Sequence, residues 1–95
     1  MNLKKYIPNN VQIIEFGAFQ SNPIEKLTLW DNVMSINESA FNGSLSEELT
    51  LPSSLQELKE NALYYIPYLN VVNNYSNLDI SSHFDYNYEI IINNY

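Results

Sequence analysis

Apolar residues return along this chain at a fixed interval. Ala18, Ala40 and Ala62 stand 22 residues apart, as do Phe19, Phe41 and Leu63. The same step joins Val11, Val33 and Leu55, then Ile14, Ile36 and Leu58, then Ile7, Leu29 and Leu51, and it continues through Leu27, Leu49 and Val71. A unit this short cannot hide its own apolar side chains, so it stacks on its neighbours and shares a continuous core with them. Leu-Thr-Leu at 27–29 and again at 49–51 alternates with a period of two, the pattern of a strand buried on one face. Val11 and Ile14, with their equivalents, then point inward from the returning segment. Ala-Phe closes the coil, with the alanine where backbones approach closely and the aromatic ring filling the space beside it. No stretch of about ten residues keeps the apolar period of an amphipathic helix, which predicts few or no long helices.

The expectation is a mainly β, short solenoid of parallel strands with about three and a half 22-residue coils. It forms a single domain over residues 1–95, with repeats at about 5–26, 27–48 and 49–70 and a degenerate C-terminal cap over 71–95. After Val72 the spacing fails, and 73–77 reads as a loop. Tyr86 to Ile92 then has high β-propensity and is expected to form a strand. Solenoids need a cap over the open end of the core, and capping is one reading of this segment. The other is an exposed edge, carried by Tyr88, Ile90, Ile91 and Ile92, that recruits a second chain.

Ile7-Pro8-Asn9-Asn10-Val11, Ile14, Phe16-Gly17, Phe19 and Asn22-Pro23-Ile24 resemble the FNIP form of the leucine-rich repeat, and Phe41-Asn42 with Leu49-Thr50-Leu51-Pro52-Ser53-Ser54-Leu55 repeats the theme. The Ala-Phe columns are similar to the BspA-like surface-antigen repeats, a near relative. The resemblance covers residues 3–72. Trp30-Asp31 departs from the pattern, as do Glu38-Ser39 and Glu60-Asn61, which stand where the first unit has Phe16-Gly17. The resemblance implies a leucine-rich-repeat solenoid; FNIP-type members occur mainly in amoebae and giant DNA viruses. No F-box is visible.

If Leu27 and Leu29 face inward, the pleat turns their neighbours outward. Steps of 22 give three outward columns: Lys4, Lys26, Glu48 and Asn70; Tyr6, Thr28, Thr50 and Val72; Pro8, Trp30, Pro52 and Asn74. Such faces are the usual partner surface of solenoids. Tyr6, Lys26, Thr28, Trp30, Glu48 and Thr50 are therefore the candidate partner-binding residues. Trp30 stands where neighbouring units carry proline, and exposed tryptophan is enriched at binding hot spots. Its alternative role is a rim residue packed over the next coil. Four strands about 4.8 Å apart, each offering three or four residues, present on the order of 200 Å², far below the roughly 800 Å² per partner of a stable interface.

Composition narrows the picture. The chain has 95 residues, no cysteine and a formal charge of −7, with four lysines and no arginine. Disulfides and thiolate metal sites are excluded, and nucleic acid is not an expected partner, since phosphate binding needs clustered cations. No segment approaches the roughly 18 apolar residues of a membrane span, and Pro8, Asn9 and Asn10 interrupt any signal-peptide core. The expectation is a soluble intracellular protein, in a host cytoplasm or a virion if the source is viral. The fifteen asparagines have AT-rich codons in common with Ile, Tyr and Lys, so genome composition, rather than chemistry, is the expected source of them. Three glycosylation sequons occur at Asn37, Asn42 and Asn74, against about two expected by accident, and they say nothing of secretion. His83 is the sole histidine, and Ser81, Ser82, His83 and Asp85 read as a solvated loop rather than a triad. Asp79, His83, Asp85 and Glu89 lack the turn glycine and spacing of a calcium loop. No catalytic residue, metal or cofactor is expected. The chain reads as a non-enzymatic protein-interaction module with a protein partner or self-association; the alternative is a structural, self-assembling component of a virion or cell surface.

Overall fold

A computed structural model describes residues 4–6, 10–22, 26–84, 87 and 89–95, with 4–6 and 26–28 described through their backbone alone. The fold is mainly β, a solenoid of parallel strands. One sheet has five strands in chain order: β1 (Lys4–Tyr6), β3 (Lys26–Thr28), β5 (Glu48–Leu51), β7 (Val71–Asn74) and β8 (Ile91–Asn94). The second has three: β2 (Ile13–Ile14), β4 (Ser35–Ile36) and β6 (Glu57–Leu58). Among the described residues the helical structure is one 3-10 turn, Ser81–Phe84, and no helix is long and apolar enough to cross a membrane.

The core lies between the sheets. Leu29, Leu49, Leu51 and Val72 enter it from the first sheet, and Ile14, Val33, Ile36 and Leu55 from the returning side. Ala40 and Ala62 are fully buried, and Phe19 stacks on Phe41 with ring centroids 5.5 Å apart. The alanines sit where backbones meet: the Phe19 N–H donates to the Ala40 carbonyl at 2.7 Å, and that of Phe41 to Ala62 at 3.4 Å. Ala18 is exposed, because among the described residues no coil lies on its outer side.

The 22-residue step holds through three strands, with Lys4 opposite Lys26 and Lys26 opposite Glu48. It then changes. Glu48 pairs with Val71 and Leu49 with Val72, one residue later than a uniform step would place them, while Val71 pairs with Ile91 after only 20. The extra residue falls at the exposed turn Pro67-Tyr68. The buried pair Ser44 and Ser46 corresponds to buried Ile66 and Leu69, so the loop lengthened where it met solvent. A one-residue slip exchanges the two faces of a strand, and three expected columns are corrected by it. Val72 and Asn74 point inward and are buried, whereas Val71, Asn73 and Tyr75 continue the outward columns. Val71 thus leaves the inward column of Leu27 and Leu49, and Val72 takes its place.

Two further corrections follow. Asn73 and Asn74 are strand rather than loop, and the final strand is Ile91–Asn94 rather than Tyr86–Ile92. Asparagine has low β-propensity, but here the side chains pair across the strands. Asn93 Nδ2 donates to Asn73 Oδ1 at 3.1 Å, and Asn74 Nδ2 donates to Asn94 Oδ1 at 2.9 Å. Tyr86 and Tyr88 lie outside the described residues.

Candidate partner-binding face

The outward face of the five-stranded sheet carries three rows. Glu48, Val71 and Ile91 form the first; Thr50, Asn73 and Asn93 form the second. Asn73 Nδ2 donates to Glu48 Oε2 at 2.8 Å and to Thr50 Oγ1 at 3.4 Å, and its Oδ1 accepts from Asn93. These contacts fix the amides in a polar ladder across β5, β7 and β8. Glu48 and Thr50, expected partner residues, therefore stand on this face, half-buried and already in contact with Asn73. The side chains of Tyr6, Lys26 and Thr28 lie outside the described residues; their backbones occupy the matching positions on β1 and β3.

The third row follows the strand ends. Its residues are Trp30, Pro52, Tyr75 and Tyr95, with Trp30 44%, Tyr75 48% and Tyr95 70% exposed and Pro52 buried. Tyr75 and Tyr95 stack with centroids 4.5 Å apart and planes 10° apart. The Tyr95 N–H donates to the Asn74 carbonyl at 3.0 Å and continues the ladder of β7 and β8. Below the row, buried Asn74 anchors the strand exit. Its Oδ1 accepts from the N–H of Ser76 at 3.0 Å and from the Ser76 hydroxyl at 2.6 Å, and its Nδ2 donates to the Leu78 carbonyl at 3.0 Å. Beside the row a groove of about 280 Å³ is lined by Leu29, Asp31, Thr50, Pro52, Ser53 and Tyr75. Ser53 Oγ donates to Asp31 Oδ1 at 3.3 Å across its mouth.

Tyr75, Tyr95 and Asp31 were not among the residues that sequence periodicity selects. A uniform step puts Asn74 in the rim row, and only the exchange of Ser44 and Ser46 for Ile66 and Leu69 signals the extra residue. At β8 and the residue before it the expected edge residues divide: Ile90 and Ile92 pack against the core, and Ile91 is 58% exposed.

In the histidine region the described polar groups are engaged locally. Ser81 gives its hydroxyl to Asp79 Oδ1 at 2.8 Å, and its N–H reaches the same oxygen at 3.1 Å. Asp85 lies outside the described residues. Burial holds the His83 imidazole below its ordinary pKa. Among the described residues no three His, Asp or Glu side chains come together as a metal site would require.

The repeat geometry agrees with a family match: the BspA-type leucine-rich-repeat region matches residues 2–93, in six copies. The chain belongs to the BspA-type leucine-rich-repeat family. Of the two repeat forms that the sequence resembles, this is the one the match carries. No curated protein and no solved structure matches the chain. Repeat scaffolds of this kind commonly mediate protein interactions and are typically non-catalytic.

Proposed function

We propose that this BspA-type chain is a non-catalytic scaffold that recognises a protein segment on the outward face of its five-stranded sheet. The observation that carries this reading is the row of exposed rings at the strand ends, Trp30, Tyr75 and Tyr95, beside a groove. Large rigid aromatics give contact area at little entropic cost and dominate binding energy where they are found. Size limits the partner. Five strands about 4.8 Å apart span about 19 Å, and three residues along each add about 10 Å. The face thus offers on the order of 200 Å², which suits a short segment rather than a globular surface. Capture from native lysate after cross-linking, compared between the wild type, Trp30→Ala and Tyr75→Ala, tests the reading. A partner lost in both variants at unchanged melting temperature supports it. A partner retained by both places recognition elsewhere.

Self-association is a second reading, supported by β8. It is the last strand of a parallel sheet, none of the described residues pairs with its outer edge, and Ile91 is exposed beside that edge. Of the expected edge residues Ile91 would then contribute to an interface between copies, as in a structural component, while Ile90 and Ile92 serve the core.

A further inference from the structure

The rim row has an irregularity of ligand size. At the ends of β7 and β8 ring lies on ring, Tyr75 on Tyr95, so one face of Tyr75 is covered. The opposite face is turned toward the third coil, where the row continues not with a ring but with buried Pro52. Of the residues lining the groove there, Leu29 and Pro52 are buried and Thr50 is half-buried, whereas Tyr75, Asp31 and Ser53 are exposed. A flat group entering this groove would continue the stack, because successive coils are about 4.8 Å apart. Among the described residues the Asp31 carboxylate beside it accepts one bond, from Ser53, and an ionised carboxylate has about four acceptor sites.

A planar face that wants a ring, joined to an edge of N–H donors that wants a carboxylate, describes a guanidinium. An aromatic side chain would meet the ring but leave Asp31 unmatched, and an ammonium has no plane to stack. Anionic groups are opposed by Asp31 and by the chain's net charge of −7. Lys59, the one lysine whose side chain is described, is held by Glu57 at 3.4 Å on the other sheet. We propose that the groove between Pro52 and Tyr75 binds an arginine side chain of a basic partner segment, with the guanidinium stacked on Tyr75 and donating to Asp31. This rests on reading the outward face as a recognition surface, and it names the chemistry of what that face takes.

The test is an NMR titration of the full isotope-labelled chain with N-acetyl-arginine methylamide, with the lysine, citrulline and phenylalanine equivalents as parallel arms. Arginine should give saturable shifts concentrated at Asp31, Ser53 and Tyr75. Citrulline, which keeps the shape without the charge, should bind about tenfold more weakly, the effect of losing a charge-assisted hydrogen bond. Asp31→Asn should weaken arginine to a similar degree. Tyr75→Leu should weaken it roughly three- to fivefold, as expected for an exposed cation–π contact. Both positions are exposed, and retained dispersion of the spectrum shows that each variant folds. Equal shifts from arginine and lysine, tighter binding of the phenylalanine arm, or an Asp31→Asn variant that binds as well as wild type would each overturn the proposal. If arginine fails while partner capture still depends on Trp30, the arginine site alone is wrong; if capture is also indifferent to the face, both readings fall.

Discussion

Each of the first three coils turns through two left-handed residues, and these fall in columns of their own. Gly17, Ser39 and Asn61 have φ of 63°, 55° and 62°, and Ser21, Gly43 and Tyr65 have 54°, 73° and 52°. Glycine occupies one place in each column; elsewhere an L-residue bears about 1–2 kcal/mol of strain. Backbone bonds between coils hold these residues in place, with Ser39 N–H donating to Asn61 O at 3.1 Å and Gly43 N–H to Tyr65 O at 2.7 Å. Ser39→Gly removes the strain but adds unfolded-state entropy of about 0.4–1 kcal/mol. The net expectation is a gain of about 0.5–1 kcal/mol, seen as a melting temperature raised by a few degrees. The opposite change, Gly43→Ala, keeps the positive φ and brings a Cβ within 3.2 Å of Ser21 Oγ, so thermal melting should show a loss. Ala40 is fully buried beside the backbone of the preceding coil. Ala40→Leu should cost about 1–3 kcal/mol by overpacking, measured by urea denaturation; an unchanged midpoint would contradict the close approach. At this scale the alanine and phenylalanine columns were legible in sequence. The left-handed columns were not, since Ser, Asn and Tyr there carry no common letter.

Strands read well from sequence where leucine alternates and badly where asparagine replaces it. Leu49 and Leu51 announced β5, whereas Asn73, Asn74, Asn93 and Asn94 look like turn residues. Their place in β7 and β8 depends on pairing with one another across a 20-residue interval, a relation that no local pattern shows. The outward rows were correspondingly right at Glu48, Thr50 and Trp30 and one residue out beyond them, because an inserted turn residue exchanges faces without altering composition. The 3-10 turn between β7 and β8 adds a pH response. Burial lowers the His83 pKa from its ordinary 6.5, so on acidification the unfolded chain takes up the proton first. The stability contributed by the neutral imidazole is whole above about pH 6.5 and declines as pH falls below it. Asp79 acts in a lower window. The N–H of Ser81, and after it the hydroxyl, hold its carboxyl below the ordinary 3.8, so that contribution is complete above 3.8 and is lost as pH falls through the lowered value. Urea midpoints between about pH 5 and 7 should fall with acid in the wild type and flatten in His83→Gln. A slope unchanged by the substitution would assign it to other groups.

A solenoid ends in two unlike surfaces, and in this molecule both ends of the five-stranded sheet are parallel edges. Among the described residues nothing pairs with the outer side of β1 or of β8. Ile91 N–H donates inward to Asn70 O at 2.9 Å and Tyr95 N–H to Asn74 O at 3.0 Å, so alternation turns the N–H groups of Ile92 and Asn94 toward the open edge. Charge is unevenly divided along the same axis. Lys4, Lys5 and Lys26, three of the four lysines, fall in the first 26 residues, while from residue 60 onward the charges are Glu60, Asp79, Asp85 and Glu89 with no lysine. The N-terminal flank also exposes apolar surface at Ile13 and Phe16. In the self-association reading the contact would be head-to-tail, β8 of one copy against β1 of the next, and a heterologous contact of that kind extends rather than closes. An edge of four residues is short, and neither proline nor lysine blunts it. If this contact operates, sedimentation should show mass growing with concentration, and less so at high salt, because salt shortens the Debye length from its physiological value of about 8 Å and screens exposed charges. Ile91→Lys introduces a cation beside the edge without removing a ladder hydrogen bond, so it should return the protein to monomer while leaving its unfolding free energy within about 0.5 kcal/mol of the wild type's. A wild-type chain that stays monomeric at high micromolar concentration, or an oligomer that survives the substitution, would leave β8 as the closing strand of the core and nothing more.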